Sequence, residues 1–432
     1  MLEGSPYQQY LYSYPHKTAY RPLDPPRLLE EVWAHEDRRA LFLYVHVPFC
    51  ERRCGFCNLF TLANPIDDVV SRWVEALERE ARAVRGALGP VGFARAAVGG
   101  GTPSYLSVSQ LERVFRVMAD VMGAPLGPMP LSVEVSCETA TPERLEVIKG
   151  AGADRVSVGV QSFLETETRA LLRPQPPAVA HAALEAIRAS GVPTLNVDLI
   201  YGIEGQTPGT LAQSITAALR WRPEEVYLYP LYVRPMTALG NAAKRWDDER
   251  LALYRAGREQ LLSQGYQQVS MRMFRRPSSP EPTLAPYHCQ EDGMVGLGCG
   301  ARSYTRRLHY SQDWAVGSPK VRGIIEAYLG RSEADFARAH HGFVLDLEEE
   351  TRRDAVLSIL ADGLDLERWR ARFGSDPVVE LAELGALLDF GLIERVASVL
   401  RLTEKGLERS DAIGPFLHSA RVDALMEAWE RR

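Results

Sequence analysis

The fold of this chain is decided by one stretch, Leu41-Phe42-Leu43-Tyr44-Val45-His46-Val47-Pro48-Phe49-Cys50-Glu51-Arg52-Arg53-Cys54-Gly55-Phe56-Cys57. Its first seven residues form an apolar run, which is typical of a buried strand. Three cysteines with the spacing C-x3-C-x2-C follow directly. Because α/β barrels place their chemistry in loops that begin where a parallel strand ends, the stretch predicts a reactive cysteine loop at the mouth of such a barrel.

The three cysteines, Cys50, Cys54 and Cys57, offer thiolates to a metal. A structural zinc site or an ordinary iron–sulfur cubane takes four protein ligands. A cubane held by three thiolates leaves one iron open for an exchangeable ligand, which favours catalysis over electron storage. The alternatives are a zinc site that lacks its fourth ligand and buried cysteines that act as small hydrophobic residues.

The composition is ordinary for a large globular protein. Of the 432 residues, 46% are hydrophobic and 25% are charged, and the formal net charge is -6. That charge gives no indication of a nucleic-acid partner, which normally requires a basic face. The sequence has no apolar stretch of membrane-spanning length and no signal-peptide pattern, and the other three cysteines are scattered. We therefore expect a cytoplasmic protein without disulfides and without membrane contact.

Short apolar strands alternate with helical patterns from about residue 41 to about residue 235. The predicted strands are residues 41–47, 95–98, 131–135, 155–160, 194–200 and 225–231. The helical stretches between them are residues 67–88, 108–122, 142–150, 177–190 and 209–221. Such alternation is typical of parallel strands joined by crossover helices. Six units are too few for a closed eight-unit barrel, so we predict an open, partial (β/α)6 barrel.

The pattern changes after the sixth strand. Residues 247–265 predict a helix, 267–274 a strand and 277–286 a proline-rich loop. Residues 347–362, 366–372 and 378–390 predict helices, and residues 393–401 predict a hairpin. Helices followed by a two-stranded ribbon indicate a winged-helix-like module, which we interpret as a cover or a substrate-side domain because it lacks a basic recognition helix. The predicted domains are an N-terminal extension (1–40), the barrel (41–235), a flanking α/β segment (236–330) and a C-terminal helical domain (340–432).

Polar residues in the barrel segment form a second set of candidates. The run Gly99-Gly100-Gly101-Thr102 follows the second strand, and consecutive glycines let a backbone approach a ligand closely, although most such runs are only turns. Three side chains lie within or at the end of later strands, and one arginine lies in a loop: Glu134, Gln161, Asp198 and Arg173. A carboxylate in a buried strand is costly unless it is paired or bound to a ligand. The set predicts either a ligand site or an internal ion pair of Arg173 with Glu134 or Asp198.

Together these segments resemble the oxygen-independent coproporphyrinogen III oxidase family of radical S-adenosylmethionine (SAM) proteins, which includes the radical SAM haem chaperones. The matching motifs are residues 44–50 with Cys54 and Cys57, then residues 99–106, 155–163, 196–202 and 295–304. The resemblance runs from about residue 41 to about residue 305 and continues more weakly over residues 348–413. The implied fold is a partial (β/α)6 radical SAM barrel with a C-terminal helical, winged-helix-like module.

The resemblance implies two cofactors, a [4Fe-4S] cluster on Cys50, Cys54 and Cys57, and SAM. The residues implied to hold SAM are Tyr44, Gly100, Gly101, Thr102, Glu134, Gln161, Arg173 and Asp198. Tyr44 and Glu134 are also the candidate catalytic residues. The implied chemistry is reductive cleavage of SAM to a 5′-deoxyadenosyl radical, which abstracts a hydrogen atom from a small-molecule substrate. Reduced flavodoxin or ferredoxin is the implied electron donor.

Departures from the family pattern bear on the substrate. The oxidases carry a further cysteine two residues after the third ligand, where this chain has Leu59, and the haem chaperones carry a Tyr-Trp pair that is missing after His288 and Cys289. These two residues either touch an iron porphyrin or are structural. Residues 12–21, rich in aromatic and basic groups, either clamp an acidic aromatic substrate or pack on the barrel. We predict oxidative decarboxylation of a porphyrinogen or related tetrapyrrole; the alternatives are a C-methyltransferase that uses a second SAM and a haem-binding chaperone.

Overall fold

The computed structural model describes residues 2–234, 237–241, 249–277, 279 and 288–430. The strands are β1 Arg21–Leu28, β2 Leu41–Val47, β3 Phe49–Cys50, β4 Leu62–Ala63, β5 Phe93–Gly100, β6 Leu131–Ser136, β7 Arg155–Gln161, β8 Thr194–Tyr201, β9 Glu225–Pro230, β10 Gln267–Gln268, β11 Met273–Arg275, β12 Met294–Leu297, β13 Arg302–Tyr304, β14 Leu308–Ser311, β15 Arg338–Val344, β16 Leu364–Asp365, β17 Ile393–Val396 and β18 Val399–Leu402.

The α-helices are α1 Leu29–Trp33, α2 Asp67–Leu88, α3 Val108–Arg116, α4 Pro142–Gly150, α5 Glu165–Ala170, α6 Pro177–Ala189, α7 Pro208–Leu219, α8 Glu249–Ser263, α9 Cys289–Asp292, α10 Ser318–Leu329, α11 Glu333–Phe336, α12 Leu347–Leu360, α13 Leu366–Phe373, α14 Pro377–Glu380, α15 Ala382–Asp389, α16 Glu404–Leu407, α17 Ser410–Phe416 and α18 Ala420–Glu430. Short 3-10 helices span Lys17–Ala19, Pro103–Tyr105 and Leu239–Asn241, and a π-helical turn, Val117–Val121, continues α3. In the described part of the chain, no helix has both the length and the apolar character needed to cross a membrane.

The centre of the molecule is a row of parallel strands in the order β2, β5, β6, β7, β8 and β9. Helices α2, α3, α4, α6 and α7 connect them, as expected for crossovers between parallel strands. These elements confirm the predicted open barrel of six units. Side chains of these strands are buried, either at every second position or at several consecutive positions. Trp73 of α2 is fully buried, and its ring centre lies 5.5 Å from that of Phe49.

The sheet continues beyond the barrel on both sides. Strand β12 pairs in parallel with β2, and β13, β14, β15 and β1 follow it in antiparallel order. On the opposite side the hairpin of β11 and β10 pairs with β9. This extension places β13, which carries Arg302, next to the start of the barrel.

Two predicted elements are wrong in detail. Residues 267–274 form the hairpin of β10 and β11, because the amides of Val269 and Ser270 turn back to the carbonyl of Met273. Residues 378–390 divide into α14 and α15 at Leu381, whose backbone is extended. The predicted loop 277–286 lies mostly outside the described residues, as do the first two residues of the predicted helix 247–265.

The C-terminal helices pack on a three-stranded sheet with the order β16, β18 and β17, which contains the predicted hairpin. Trp369 is fully buried in this module. Its hydrophobic cluster also includes five residues from the N-terminal segment, Leu2, Leu11, Tyr14, Ala19 and Tyr20. The N-terminal segment therefore shares a core with the C-terminal module, while the division of the chain into four domains stays a prediction.

Candidate active site

A cavity of about 820 Å³ opens at the carboxyl ends of the barrel strands. Its lining includes every site residue predicted from the sequence: Tyr44, Cys50, Cys54, Cys57, Gly100, Gly101, Thr102, Glu134, Gln161, Arg173 and Asp198. These residues come from β2, β5, β6, β7 and β8, from the cysteine loop and from the loop after α5. The structure thus brings the predicted residues together on one surface, while their individual roles stay predictions.

The cysteine loop begins at β3, directly after β2. The Thr102 hydroxyl donates to Cys50 Sγ at 3.5 Å, and the Cys57 amide donates to the Cys54 carbonyl at 3.1 Å. Burial raises the pKa of Cys50 to about 12 and also raises that of Cys54, where Arg173 partly offsets the effect. Buried thiols become thiolates when a metal replaces the proton. The donor set therefore fits an iron–sulfur cluster.

A single metal ion has a different requirement. Within the described ranges, no three His, Cys, Asp or Glu side chains are placed to hold one ion. Thiolates that bind different iron atoms of one cluster do not need to converge on one point.

The glycine run lies against the carboxylate of Glu134. The Gly100 amide donates to Glu134 Oε2 at 3.0 Å, and Gly100 has a φ of 113°, which favours glycine. A Cβ atom on Gly99 would lie 2.9 Å from the same carboxylate. The run therefore leaves room for Glu134 at the mouth of the barrel and exposes backbone to the cavity.

The second carboxylate, Asp198, accepts hydrogen bonds from Asn196 Nδ2 at 2.7 Å and Ser157 Oγ at 3.3 Å. Desolvation inside the barrel mouth raises the pKa of Asp198 to about 6 and that of Glu134 to about 7, although Glu134 remains an exposed residue at the open cavity. The Asp198 carboxylate also raises the pKa of Glu134. A cationic ligand between them would favour both charged forms.

The alternative of an internal ion pair with Arg173 is wrong. Arg173 Nη2 lies 3.7 Å from Glu138 Oε2, and no ion pair in the described part of the chain joins Arg173 to Glu134 or Asp198. Glu138, which sequence reasoning missed, lies at the cavity and also pairs with Arg52 at 3.7 Å. The two strand carboxylates therefore remain available to a ligand.

Gln161 ends β7 in a left-handed conformation, with a φ of 69°. Such a backbone is costly for a residue other than glycine and is concentrated at functional sites. Its amide nitrogen lies 2.6 Å from the position that a Cβ atom on Gly159 would take. Gly159 thus lets the Gln161 side chain fold over the strand and into the cavity.

Tyr44 is fixed by a histidine that sequence reasoning missed. The Tyr44 hydroxyl lies 3.2 Å from His46 Nδ1, and His46 Nε2 lies 3.0 Å from the Phe60 carbonyl. Burial lowers the pKa of His46 to about 4, so its ring is neutral at physiological pH. A neutral ring that donates from Nε2 to the carbonyl accepts from the Tyr44 hydroxyl at Nδ1. These two hydrogen bonds orient the Tyr44 side chain, which lines the cavity.

One wall of the cavity is cationic and aromatic. It contains Lys17, Arg302, Tyr12, Trp314 and Trp429. The Arg302 Nη1 atom donates to Ser13 Oγ at 3.1 Å, and its guanidinium lies 4.8 Å from the centre of the Tyr12 ring. In the part of the chain that the structure describes, no carboxylate forms an ion pair with Lys17 or Arg302.

Some residues of this wall belong to segments that the sequence analysis had singled out. Lys17 and Tyr12 belong to the segment 12–21, whose other members Tyr14 and Tyr20 are buried, so the segment both lines the cavity and packs. Arg302 belongs to the glycine-rich segment 295–304, but nothing in the sequence marked Trp314 or Trp429. His288 and Cys289 do not belong to the described lining; the His288 amide donates to Asp292 at 2.7 Å, next to α9.

Comparison with known proteins connects this cavity to one family. Residues 44–218 match the radical SAM superfamily. The oxygen-independent coproporphyrinogen III oxidase of Paracoccus denitrificans is 27% identical over 416 residues, which cover 91% of this chain and 90% of that protein. The heme chaperone HemW of Mycobacterium tuberculosis is 30% identical over 383 residues, which cover 86% of this chain and 93% of that protein.

The fold has a counterpart among solved structures. Coproporphyrinogen III oxidase (HemN) from Escherichia coli superimposes with a TM-score of 0.80 at 23% identity, covering 94% of this chain and 96% of that chain. Barrel, sheet extension and C-terminal module are thus all present in that fold. The cysteine loop and the strand-end residues lie at the cavity that such a barrel forms, and the chain belongs to the radical SAM family that includes oxygen-independent coproporphyrinogen III oxidases and haem chaperones.

Proposed function

We propose that this protein is a radical SAM enzyme that oxidatively decarboxylates a porphyrinogen or a related tetrapyrrole. One observation carries the proposal. The three thiols, the glycine run and the two strand carboxylates share a single cavity with a wall of aromatic rings and cations that have no carboxylate partner among the described residues. The first group suits a cluster and SAM, and the second suits an aromatic substrate with carboxylates.

Different residues of the chain would bind the cluster and SAM. Cys50, Cys54 and Cys57 would bind the [4Fe-4S] cluster, which when bound supplies the electron that cleaves SAM to a 5′-deoxyadenosyl radical. Glu134 and Asp198 offer carboxylates to the positive charge and hydroxyl groups of SAM, and the backbone at Gly100 offers polar groups without a side chain in the way.

The substrate step balances with one external oxidant. Each propionate side chain gives up one hydrogen atom from the carbon β to its carboxylate, then loses carbon dioxide and one electron, and becomes a vinyl group. The electron passes to a one-electron acceptor of the redox-protein class. Relatives named coproporphyrinogen III oxidase support this reaction.

A second candidate function is haem binding for transfer to another protein. It is favoured by one observation, the 30% identity to a protein named heme chaperone. Leu59, where the oxidases carry a cysteine, lies at the cavity with 43% of its surface exposed and offers no further thiol. The chaperone candidate predicts stoichiometric haem uptake with a Soret band, whereas no uptake at micromolar haem would remove it.

The experiment that tests the proposal is an anaerobic incubation of the reconstituted, reduced protein with SAM and coproporphyrinogen III, followed by mass spectrometry. We expect loss of two carboxyl groups from the porphyrinogen together with formation of 5′-deoxyadenosine. Deoxyadenosine with an unchanged porphyrinogen would contradict the substrate, and absence of both products would contradict the radical chemistry.

A further inference from the structure

Three segments that are distant in the sequence close one side of the cavity. Lys17 lies in the first 3-10 helix, Trp314 follows β14, and Trp429 lies in α18 near the C-terminus. The Lys17 ammonium lies 4.0 Å from the centre of the Trp314 ring, and the two tryptophan rings are 4.6 Å apart at an angle of 37°. All three residues line the cavity.

The C-terminal helix is held in this position by specific contacts. Arg21 donates from its guanidinium to the Leu425 carbonyl, and Val422 is fully buried in the core that the C-terminal module shares with the N-terminal segment. Met426 and Trp429 lie at the cavity, one turn apart on the helix. The helix therefore combines a buried anchor with an apolar contribution to the cavity.

Among the residues that the structure describes, the cations on this wall have no carboxylate partner. Lys17 and Arg302 are partly buried, and neither forms an ion pair with a carboxylate in the described ranges. The contacts of Arg302 are with the Ser13 hydroxyl and with the rings of Tyr12 and Tyr304. Charges removed from water are normally paired, so the arrangement fits a ligand that brings its own carboxylates.

We propose that Lys17 and Arg302 bind carboxylates of the substrate while Trp314 and Trp429 pack against its ring, which makes the C-terminal helix part of the substrate site. The inference rests on the proposed function, because it takes a tetrapyrrole carboxylate as the ligand. It assigns substrate selection to residues of the cavity other than those that would hold the cluster and SAM. Cation and ring contacts of this kind suit a ligand that has aromatic pyrrole rings and acidic side chains.

Binding can be measured apart from turnover. The probe is coproporphyrin III, titrated under anaerobic conditions into cluster-loaded protein, with its tetramethyl ester as a ligand of the same ring without carboxylates. The variants are Trp429→Ala and Lys17→Met. The matched controls are Phe390→Ala and Lys320→Met, which replace exposed residues that do not line the described cavity. SAM binding is measured for each protein.

We expect both cavity variants to weaken coproporphyrin III binding by about tenfold or more, the size of one lost charge-assisted or ring contact, with SAM affinity unchanged. Lys17→Met should reduce the preference for the free acid over the ester, because of these two cations only Arg302 then remains to bind carboxylates, whereas Trp429→Ala should weaken both ligands. Normal binding by both variants, or no binding by the unaltered protein, would overturn the inference. Binding that depends on these residues without any decarboxylation of coproporphyrinogen III would keep the inference and contradict the proposed reaction.

Discussion

Three thiols on one short loop are the smallest unit on which the chemistry depends. We expect Cys54→Ser to lose most of the iron and the broad visible absorption after anaerobic reconstitution, because two thiolates hold a cubane poorly. Cys289→Ser is the matched control, since Cys289 begins α9 and is not part of the described cavity lining. Iron content and absorption are the measurements, and a full iron complement in Cys54→Ser would show that the loop does not hold the cluster.

The two strand carboxylates predict a pH dependence of SAM binding. Their pKa values are raised to about 7 for Glu134 and about 6 for Asp198, so protonation begins near neutral pH and not near pH 4. As the pH falls from about 8 to about 5.5, both lose the charge that attracts a cation, and SAM affinity should fall by about tenfold. Equilibrium dialysis with cluster-loaded protein measures this fall.

The matching variant separates the two groups. Glu134→Gln removes the titration with the higher pKa, so its affinity should be low already at pH 8 and should change only near pH 6. An affinity that is independent of pH in the unaltered protein would contradict a role of either carboxylate in SAM binding.

Among the elements, the end of β5 is the most constrained by its neighbours. A Cβ atom on Gly99 would lie 2.9 Å from the Glu134 carboxylate, so Gly99→Ala must displace that side chain. We expect SAM affinity to fall by at least about tenfold, which corresponds to one lost charge-assisted hydrogen bond, while the folded structure is retained. Calorimetric titration with SAM and circular dichroism provide the two measurements.

The control for this prediction lies in α2. Gly86 has open space at its Cβ position, so Gly86→Ala should leave SAM binding unchanged and raise the free energy of unfolding by about 0.5–1 kcal/mol. Equal SAM affinity in Gly99→Ala and Gly86→Ala would show that the close approach at β5 has no functional consequence.

Local sequence patterns were sufficient to predict the barrel and most residues of the candidate site. Buried parallel strands read as apolar runs, so β2 and the helices α2 and α4 have the predicted bounds, and polar residues at strand ends converge by topology alone. His46 was missed because an apolar strand gives no sign of a buried hydrogen-bonded ring. Trp429 was missed because its contact with Trp314 spans more than a hundred residues, and no local periodicity records such contacts.

On the scale of the whole molecule, the C-terminal module is joined to the barrel end by a buried ion pair. Arg272 next to β11 pairs with Asp411 of α17, and their side chains are 6% and 1% exposed. Tyr232 donates to the same carboxylate, and the Arg272 guanidinium lies 3.9 Å from the centre of the Tyr10 ring. Tyr10 and Tyr232 both line the cavity, so this junction connects the position of the module to the shape of the site.

The Arg272–Asp411 ion pair should contribute to the stability of the fold. Asp411→Asn leaves Arg272 buried without a countercharge and should lower the free energy of unfolding by about 3 kcal/mol. Asp37→Asn is the control, because the pair of Asp37 with Arg39 is 61% and 89% exposed and should leave the free energy of unfolding nearly unchanged. Urea-induced unfolding of the cluster-free protein measures both changes.

Replacing both partners, in Arg272→Met with Asp411→Leu, should recover much of the lost free energy of unfolding, because the cost lies in the unpaired charge. A double variant as unstable as Asp411→Asn would instead place the stabilisation in the hydrogen bond from Tyr232 and the ring contact with Tyr10.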